Sequence, residues 1–235
     1  MIEAIINDVD DPKVLSLMAK GRMKSKREQL ERALYGLIGR HQKMVLSAQL
    51  KHIDFLVQQI VLLDKEITER MSPFEEDLER LDTITGIGIP SAQEILAETG
   101  VDMSRFPTDA HISSWAGMAP GNNESAGKRK SGRTRKGNKF LRRALTQAAH
   151  AASHSKDTYL SAQYHRIAAR RGKNRAAIAV GHSILIIIYH MLKKRMQYIE
   201  LGANYFDKRR ENATVNRAVK KLESLGYRVT LETVA

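Results

Sequence analysis

Between residues 25 and 70 the chain contains no proline, and its apolar positions recur alternately three and four residues apart. Leu30, Leu34, Leu37, His41, Met44 and Ala48 form one such set, and Ile53, Leu56, Ile60, Leu63 and Ile67 form a second. This spacing is the seam of a coiled coil. The step from Ala48 to Ile53 slips the phase, so either one helix carries a stutter or two helices meet there. At 1.5 Å per residue such an arm reaches about 65 Å, longer than a small domain, and its seam needs a second helix. Self-association is the expected way to supply it.

The remainder predicts more helices. Residues 1–20 start with a short helix carrying Ile2, Ile5 and Ile6 and break at Asp10, Asp11 and Pro12. Asp8, Asp10 and Asp11 fit capping and turn roles. Ser72 and Pro73 end the arm and open a helix over 74–82 with Glu75 and Glu76 in its first turn. A Gly86-Ile87-Gly88 turn leads into a second helix through Ala97, a pattern like a helix-hairpin-helix. Glycines there can let the turn approach a backbone closely, and the exposed N–H groups of the next helix can hold a phosphate. An ordinary tight turn between packed helices fits the same residues. A helix after Phe106-Pro107-Thr108 ends near Trp115, the single tryptophan. Residues 122–138 show no apolar period and are expected to be a long polar loop.

Helices follow over 139–153, 158–171 and 174–195, the last apolar nearly all round and so expected at the centre of the core. Its apolar run, Ala177 to Leu192, is shorter than the roughly 20 residues a membrane span needs and carries two histidines. A basic helix near 212–224 and a strand-like alternation of Tyr227, Val229 and Leu231 close the chain. The expected class is all-α: a helical, coiled-coil arm at 1–71, a compact helical domain at 72–200 and a basic tail at 201–235.

The charge is not spread evenly. The formal net charge is +13, and residues 121–175 hold 15 of the 39 Lys and Arg but only Glu124 and Asp157 as acids. The other residues carry equal numbers of acids and bases. A cationic surface gathered in under a quarter of the chain fits a polyanion, with nucleic acid as the expected partner. The basic run lacks the Trp, Phe and Leu stripe of a membrane-surface helix. The candidate phosphate-binding residues are Gly86, Gly88, Lys128, Arg129, Lys130, Arg133, Arg135, Lys136, Lys139, Arg142 and Arg143.

With no cysteine, the chain has neither a thiolate zinc site nor a cysteine nucleophile, and it fits a reducing cytoplasm. P-loop, dinucleotide-binding and zinc-protease motifs are absent. His150 and His154 lie four apart on a helix, but without a neighbouring carboxylate in the zinc-protease pattern they fit a structural pair, and no metal site is expected. Ser125 stands between Glu124 and Ala126-Gly127-Lys128-Arg129. A serine hydroxyl is a poor nucleophile at neutral pH, but nearby cations can lower its pKa and stabilise the charge of a phosphoryl transition state. Serine in a glycine-rich loop is also commonplace without any such role.

Three ordered stretches, Leu81 to Gly100, Met103 to Pro120 and Gly121 to Leu145, resemble the C-terminal part of bacterial insertion-sequence transposases. These are the transposases that join an RNase H-like acidic nuclease domain to a serine transposase domain, a group that includes the pilin-gene inverting recombinases. The segment from His52 to Ile67 resembles the helical segment preceding that domain. The resemblance implies DNA transposition, in which the serine matching Ser125 attacks a DNA phosphate and forms a phosphoserine intermediate. It implies DNA and a structured guide RNA as partners, dimer contacts through the long helices, and action in the bacterial cytoplasm at the nucleoid. It also implies a nuclease domain whose four acids hold Mg. None of those acids maps onto this chain, so the expectation is a truncated copy without a cofactor of its own. The alternative is a non-catalytic nucleic-acid-binding remnant.

Overall fold

A computed structural model describes residues 1–36, 38–121, 123–209 and 211–231, without the side chains at 123, 129–131 and 212–214. The chain divides into two compact units, Met1–Ser72 and Pro73–Ala235.

In the first unit, α1 (Ile2–Ile6), α2 (Pro12–Leu17) and α3 (Arg27–Ala33) precede the long α4 (Arg40–Met71). The Asp11 carboxylate accepts from the Lys13 N–H at 2.8 Å and caps α2, whose first residue is Pro12. Asp8 and Asp10 both receive the Lys43 ammonium, at 2.9 and 2.8 Å, which ties the α1–α2 connection to α4. Those hydrogen bonds, Asp10's first, push the Lys43 pKa up. Ile5, Leu15 and Ala19 are buried, whereas α4 buries no residue. Ile53, Leu56, Ile60, Leu63 and Ile67 are all exposed.

The arm differs from the expected 25–70 helix. It is interrupted between Leu34 and Gly39, where Gly36 and Gly39 raise the cost of helix. Leu37 lies outside the described residues. The phase slip at Ala48 to Ile53 falls inside the unbroken α4, so it is a stutter within one helix.

The second unit is built from α5 (Glu75–Asp82), α6 (Ile89–Thr99), α7 (Asp109–Trp115), α8 (Lys139–Ser153), α9 (Tyr159–Arg171) and α10 (Lys173–Lys194), followed by α11 (Tyr205–Arg209) and α12 (Glu211–Ser224). The only strands among the described residues, β1 (Asn123–Ser125) and β2 (Lys128–Ser131), form one antiparallel pair, so the class is all-α.

Helix α10 is the centre, packed by α7, α8 and α9. Its Ala176, Ala177, Val180, Ile184, Leu185 and Ile188 are buried against a face of α8 made by Leu141, Ala144, Leu145, Ala148 and Ala149. These follow the 3.6-residue period of a helix with one buried face. Gly181 lets the two helices close, because a Cβ there would meet the Leu145 carbonyl oxygen at 3.1 Å. Among the described residues α10 alone is long and apolar enough to cross a membrane. Its buried face gives it the packing of a core helix. The tail departs from expectation: residues 227–231 form no strand. Two stranded neighbours are the minimum for a ladder, and none pairs with them among the described residues.

After α10 the chain returns across the unit and is fastened by Glu200. Its carboxylate accepts from the N–H groups of Tyr159 (2.7 Å) and Gly202 (2.9 Å) and from the hydroxyls of Tyr198 (3.1 Å) and Thr85 (3.2 Å). Burial works against the charge, but these donors outweigh it and hold the Glu200 carboxyl below the usual carboxylate range. A depressed native pKa stabilises the fold above the unfolded pKa, about 4.5, and the contribution disappears as pH falls through the native value. Glu200→Gln is therefore expected to lower the midpoint of urea unfolding at pH 7 and to match the parent in strong acid. A pH-independent difference between the two would count against the carboxylate's role.

Candidate nucleic-acid interface

The segment expected as a structureless loop folds into a hairpin on a narrow neck. Ser125 pairs with Lys128 and Glu124 with Arg129, and a bulge lies between Asn123 and Glu124. The two connecting residues, Ala126 and Gly127, both have positive φ, +50° and +71°, as a type I′ turn requires. Its twist matches that of the flanking strands. Glycine adopts this conformation freely, while alanine at +50° carries a strain of roughly 1 kcal/mol. Ser125 and Lys128 thus face each other at the tip, both exposed. Among the described residues nothing hydrogen-bonds the Ser125 hydroxyl.

The neck is made of backbone. A Cβ on Gly137 would lie 2.3 Å from the Gly117 nitrogen and 2.4 Å from the Ala116 carbonyl carbon, so the two strands of the neck touch where neither has a side chain. The Gly121 N–H donates to the Arg133 carbonyl at 3.2 Å. Below the neck, Asn138 caps α8 by accepting from the N–H groups of Phe140 and Leu141, both at 3.0 Å, while its amide donates to Glu98 of α6. These contacts were not foreseen from sequence. Their signals were the spacing of Gly117, Gly121 and Gly137, and an asparagine immediately before an amphipathic run.

The predicted cations separate into two groups. Lys128, Arg133, Arg135, Lys136 and Lys139 are exposed on the hairpin, the neck and the start of α8. The side chains of Arg129 and Lys130 lie outside the described residues. Arg142 is half-buried: its Nη1 donates to the Gly117 carbonyl (2.9 Å) and the Thr134 hydroxyl (2.8 Å), so it holds the neck in place. Arg143 pairs with Glu94 of α6 at 2.6 Å and lies over the Phe140 ring.

The two glycines of the α5–α6 turn also part ways. Gly86 has φ +90°, and a Cβ there would sit 2.4 Å from the Ala148 carbonyl oxygen and 2.6 Å from the Ala152 nitrogen. The close backbone approach it permits is to α8 of the same unit. Gly88 is exposed at the N-terminus of α6, where no side chain caps the helix.

Of the two histidines four apart on α8 and its C-cap, His154 is exposed. His150 lies edge-on to Tyr164 with Nδ1 3.3 Å from its hydroxyl, and His165 Nε2 is 3.0 Å from the Ser153 carbonyl. Among the described residues no three His, Asp or Glu side chains converge to hold a metal ion.

Comparison with known proteins bears on this face of the molecule. The chain is 28% identical, over 142 residues, to the transposase for insertion sequence element IS1111A of Coxiella burnetii (strain RSA 493 / Nine Mile phase I). The alignment covers 57% of this chain and 38% of that relative, so the chain spans well under half of the curated protein it matches. Residues 78–166 match the sequence profile of the Transposase IS116/IS110/IS902 family. The segment that carries the hairpin, its glycine neck and the cations around them is therefore the segment similar to an insertion-sequence transposase family.

Proposed function

We propose that this chain acts in the DNA transposition of a bacterial insertion sequence, with the hairpin as the part that meets the DNA backbone. The observation that carries this reading is the presentation of Ser125 opposite Lys128 at an exposed tip inside the transposase-like segment. Lys128, Arg135, Lys136 and Lys139 contact phosphates, while Arg142 and Gly86 serve the fold that positions them. Ser125 is the nucleophile: its Oγ bonds to phosphorus as a P–O bond to deoxyribose breaks, and the serine hydroxyl proton ends on the departing deoxyribose oxygen, which leaves as an alcohol. The family resemblance adds a guide RNA that chooses the DNA sequence, and a nuclease domain whose acids hold Mg. The described residues here offer no such acid set. The uncovered seam of α4 pairs with a second copy. The protein acts in the cytoplasm, on the nucleoid.

Salt dependence tests the binding half of this reading. Each phosphate contact to duplex DNA contributes about 0.9 to the slope of log K against log salt. Replacing Lys128, Lys136 and Lys139 together with Gln is expected to shallow that slope by about 2 to 3 and to weaken binding across all sequences alike. A slope equal to the parent's would remove the hairpin and neck from the DNA contact.

A further inference from the structure

Around the neck the molecule displays two partly exposed aromatic rings. Trp115, the last residue of α7, is 43% exposed, and Phe140, in the first turn of α8, is 54% exposed. Both belong to the neck by connectivity. Trp115 immediately precedes Ala116 and Gly117, whose backbone touches Gly137, and Phe140 follows Gly137 by three residues. Each ring has a backing. Trp115 packs against Phe106 with ring centroids 5.4 Å apart, and the Arg143 guanidinium lies 5.6 Å from the Phe140 centroid. Phe106 is itself held, because the Tyr189 hydroxyl of α10 donates to the carbonyls of Phe106 (3.0 Å) and Pro107 (3.2 Å). The indole is thus a partly exposed ring packed on Phe106, and exposed cations occur nearby along the chain: Arg105 immediately precedes Phe106, and Lys136 and Lys139 flank Gly137.

Packing against Phe106 covers part of the ring, yet 43% of Trp115 remains exposed. A ligand that is both flat and anionic uses both features, with its ring on the aromatic face and its phosphate on the nearby cations. We propose that Trp115 is a stacking platform for an unpaired nucleotide base, with Phe140 as a second one, so that the neck takes single-stranded or flipped nucleotides while the hairpin takes backbone. The bases of an intact duplex are stacked on each other and cannot occupy it. This inference rests on the nucleic-acid reading above and names the substrate form that the same face selects.

The chain has one tryptophan, so its emission reports this site alone. Titration with oligo(dT) at low salt is expected to quench at least about half of that emission, and a duplex of equal length to leave it nearly unchanged while still binding by anisotropy. Trp115→Ala is expected to weaken oligo(dT) binding by about 10- to 100-fold and duplex binding by less than about twofold. Trp115→Phe keeps a ring against Phe106 and is expected to restore most of the oligo(dT) affinity, which separates stacking from a loss of local fold. Oligo(dT) binding without quenching, or equal losses for single strand and duplex in both variants, would overturn the platform and leave the backbone contact standing. Emission that changes with protein concentration in the absence of nucleic acid would assign Trp115 to an interface between copies and overturn it also. Failure of both nucleic acids to bind at low salt would remove both readings together.

Discussion

Gly86→Ala is expected to lower the thermal midpoint of the helical unit by about 10 °C. Two costs add at this position. At φ +90° an L-residue is strained by roughly 1–2 kcal/mol. Its methyl group would also occupy space held by α8, 2.4 Å from the Ala148 carbonyl oxygen and 2.9 Å from the Ala152 Cβ. Those atoms belong to the last turns of α8, which packs on α10, and being backbone and Cβ they cannot turn aside as the end of a long side chain could, so overpacking adds roughly 1–3 kcal/mol. A total of about 3 kcal/mol in a unit of this size shifts the midpoint by roughly 2–4 °C per kcal/mol. Gly127→Ala is the comparison. It has a similar φ, +71°, but no atom within 4 Å of the added methyl, so only the conformational cost applies. Calorimetry of the two variants decides whether Gly86 exists for packing. If Gly86→Ala is no less stable than Gly127→Ala but binds DNA more weakly, the glycine faces the ligand and the packing account fails.

The contrast between these two glycines shows where the sequence was legible. Both announce a turn, and neither announces what lies above it. The buried faces of α8 and α10 were readable because Leu141, Leu145, Ala148 and Val180, Ile184, Ile188 repeat with the period of a helix. The long helix α4 was readable from the same kind of period. The interruption before it was not, because Gly36 and Gly39 only add a modest cost to a helix that flanking residues favour. The hairpin left almost no trace. Residues 123–131 are polar, so no alternation marks a half-buried strand, and Ala126-Gly127 is not among the common two-residue turn pairs. The neck joins residues 117 and 137, twenty positions apart, through backbone atoms alone, and glycine spacing is its sole sign. The structural contacts of Arg142 leave no trace in the sequence for a related reason. A cation on the polar side of an amphipathic helix is expected to face solvent, and only the returning chain, with the Gly117 carbonyl and the Thr134 hydroxyl, makes that side an interior one. Local periodicity therefore disclosed the scaffold, while the site depends on contacts between distant backbones.

Ser125→Ala is expected to abolish covalent attachment of the protein to DNA while leaving binding within about twofold of the parent. The hydroxyl is exposed and makes no hydrogen bond among the described residues, so its removal costs the fold less than about 0.5 kcal/mol. The two-residue turn and the pairing with Lys128 are set by backbone and survive the change. The phosphorus–oxygen bond to the protein cannot form without Oγ, so the yield of adduct resistant to denaturant falls by at least about a thousandfold. Lys128→Gln is the complementary change. It keeps the nucleophile but removes the cation facing it, and it is expected to slow adduct formation by about 10- to 100-fold, the scale of losing one charge-stabilising group at a phosphoryl centre. Denaturing gels of labelled element-end DNA, followed by mapping of the modified residue, read both effects. Adduct retained by Ser125→Ala would place the nucleophile elsewhere. A parent that binds the same DNA tightly but yields no adduct would reduce the hairpin to a backbone clamp and make the chain a binding module, because every feature of the tip except the hydroxyl serves binding equally well.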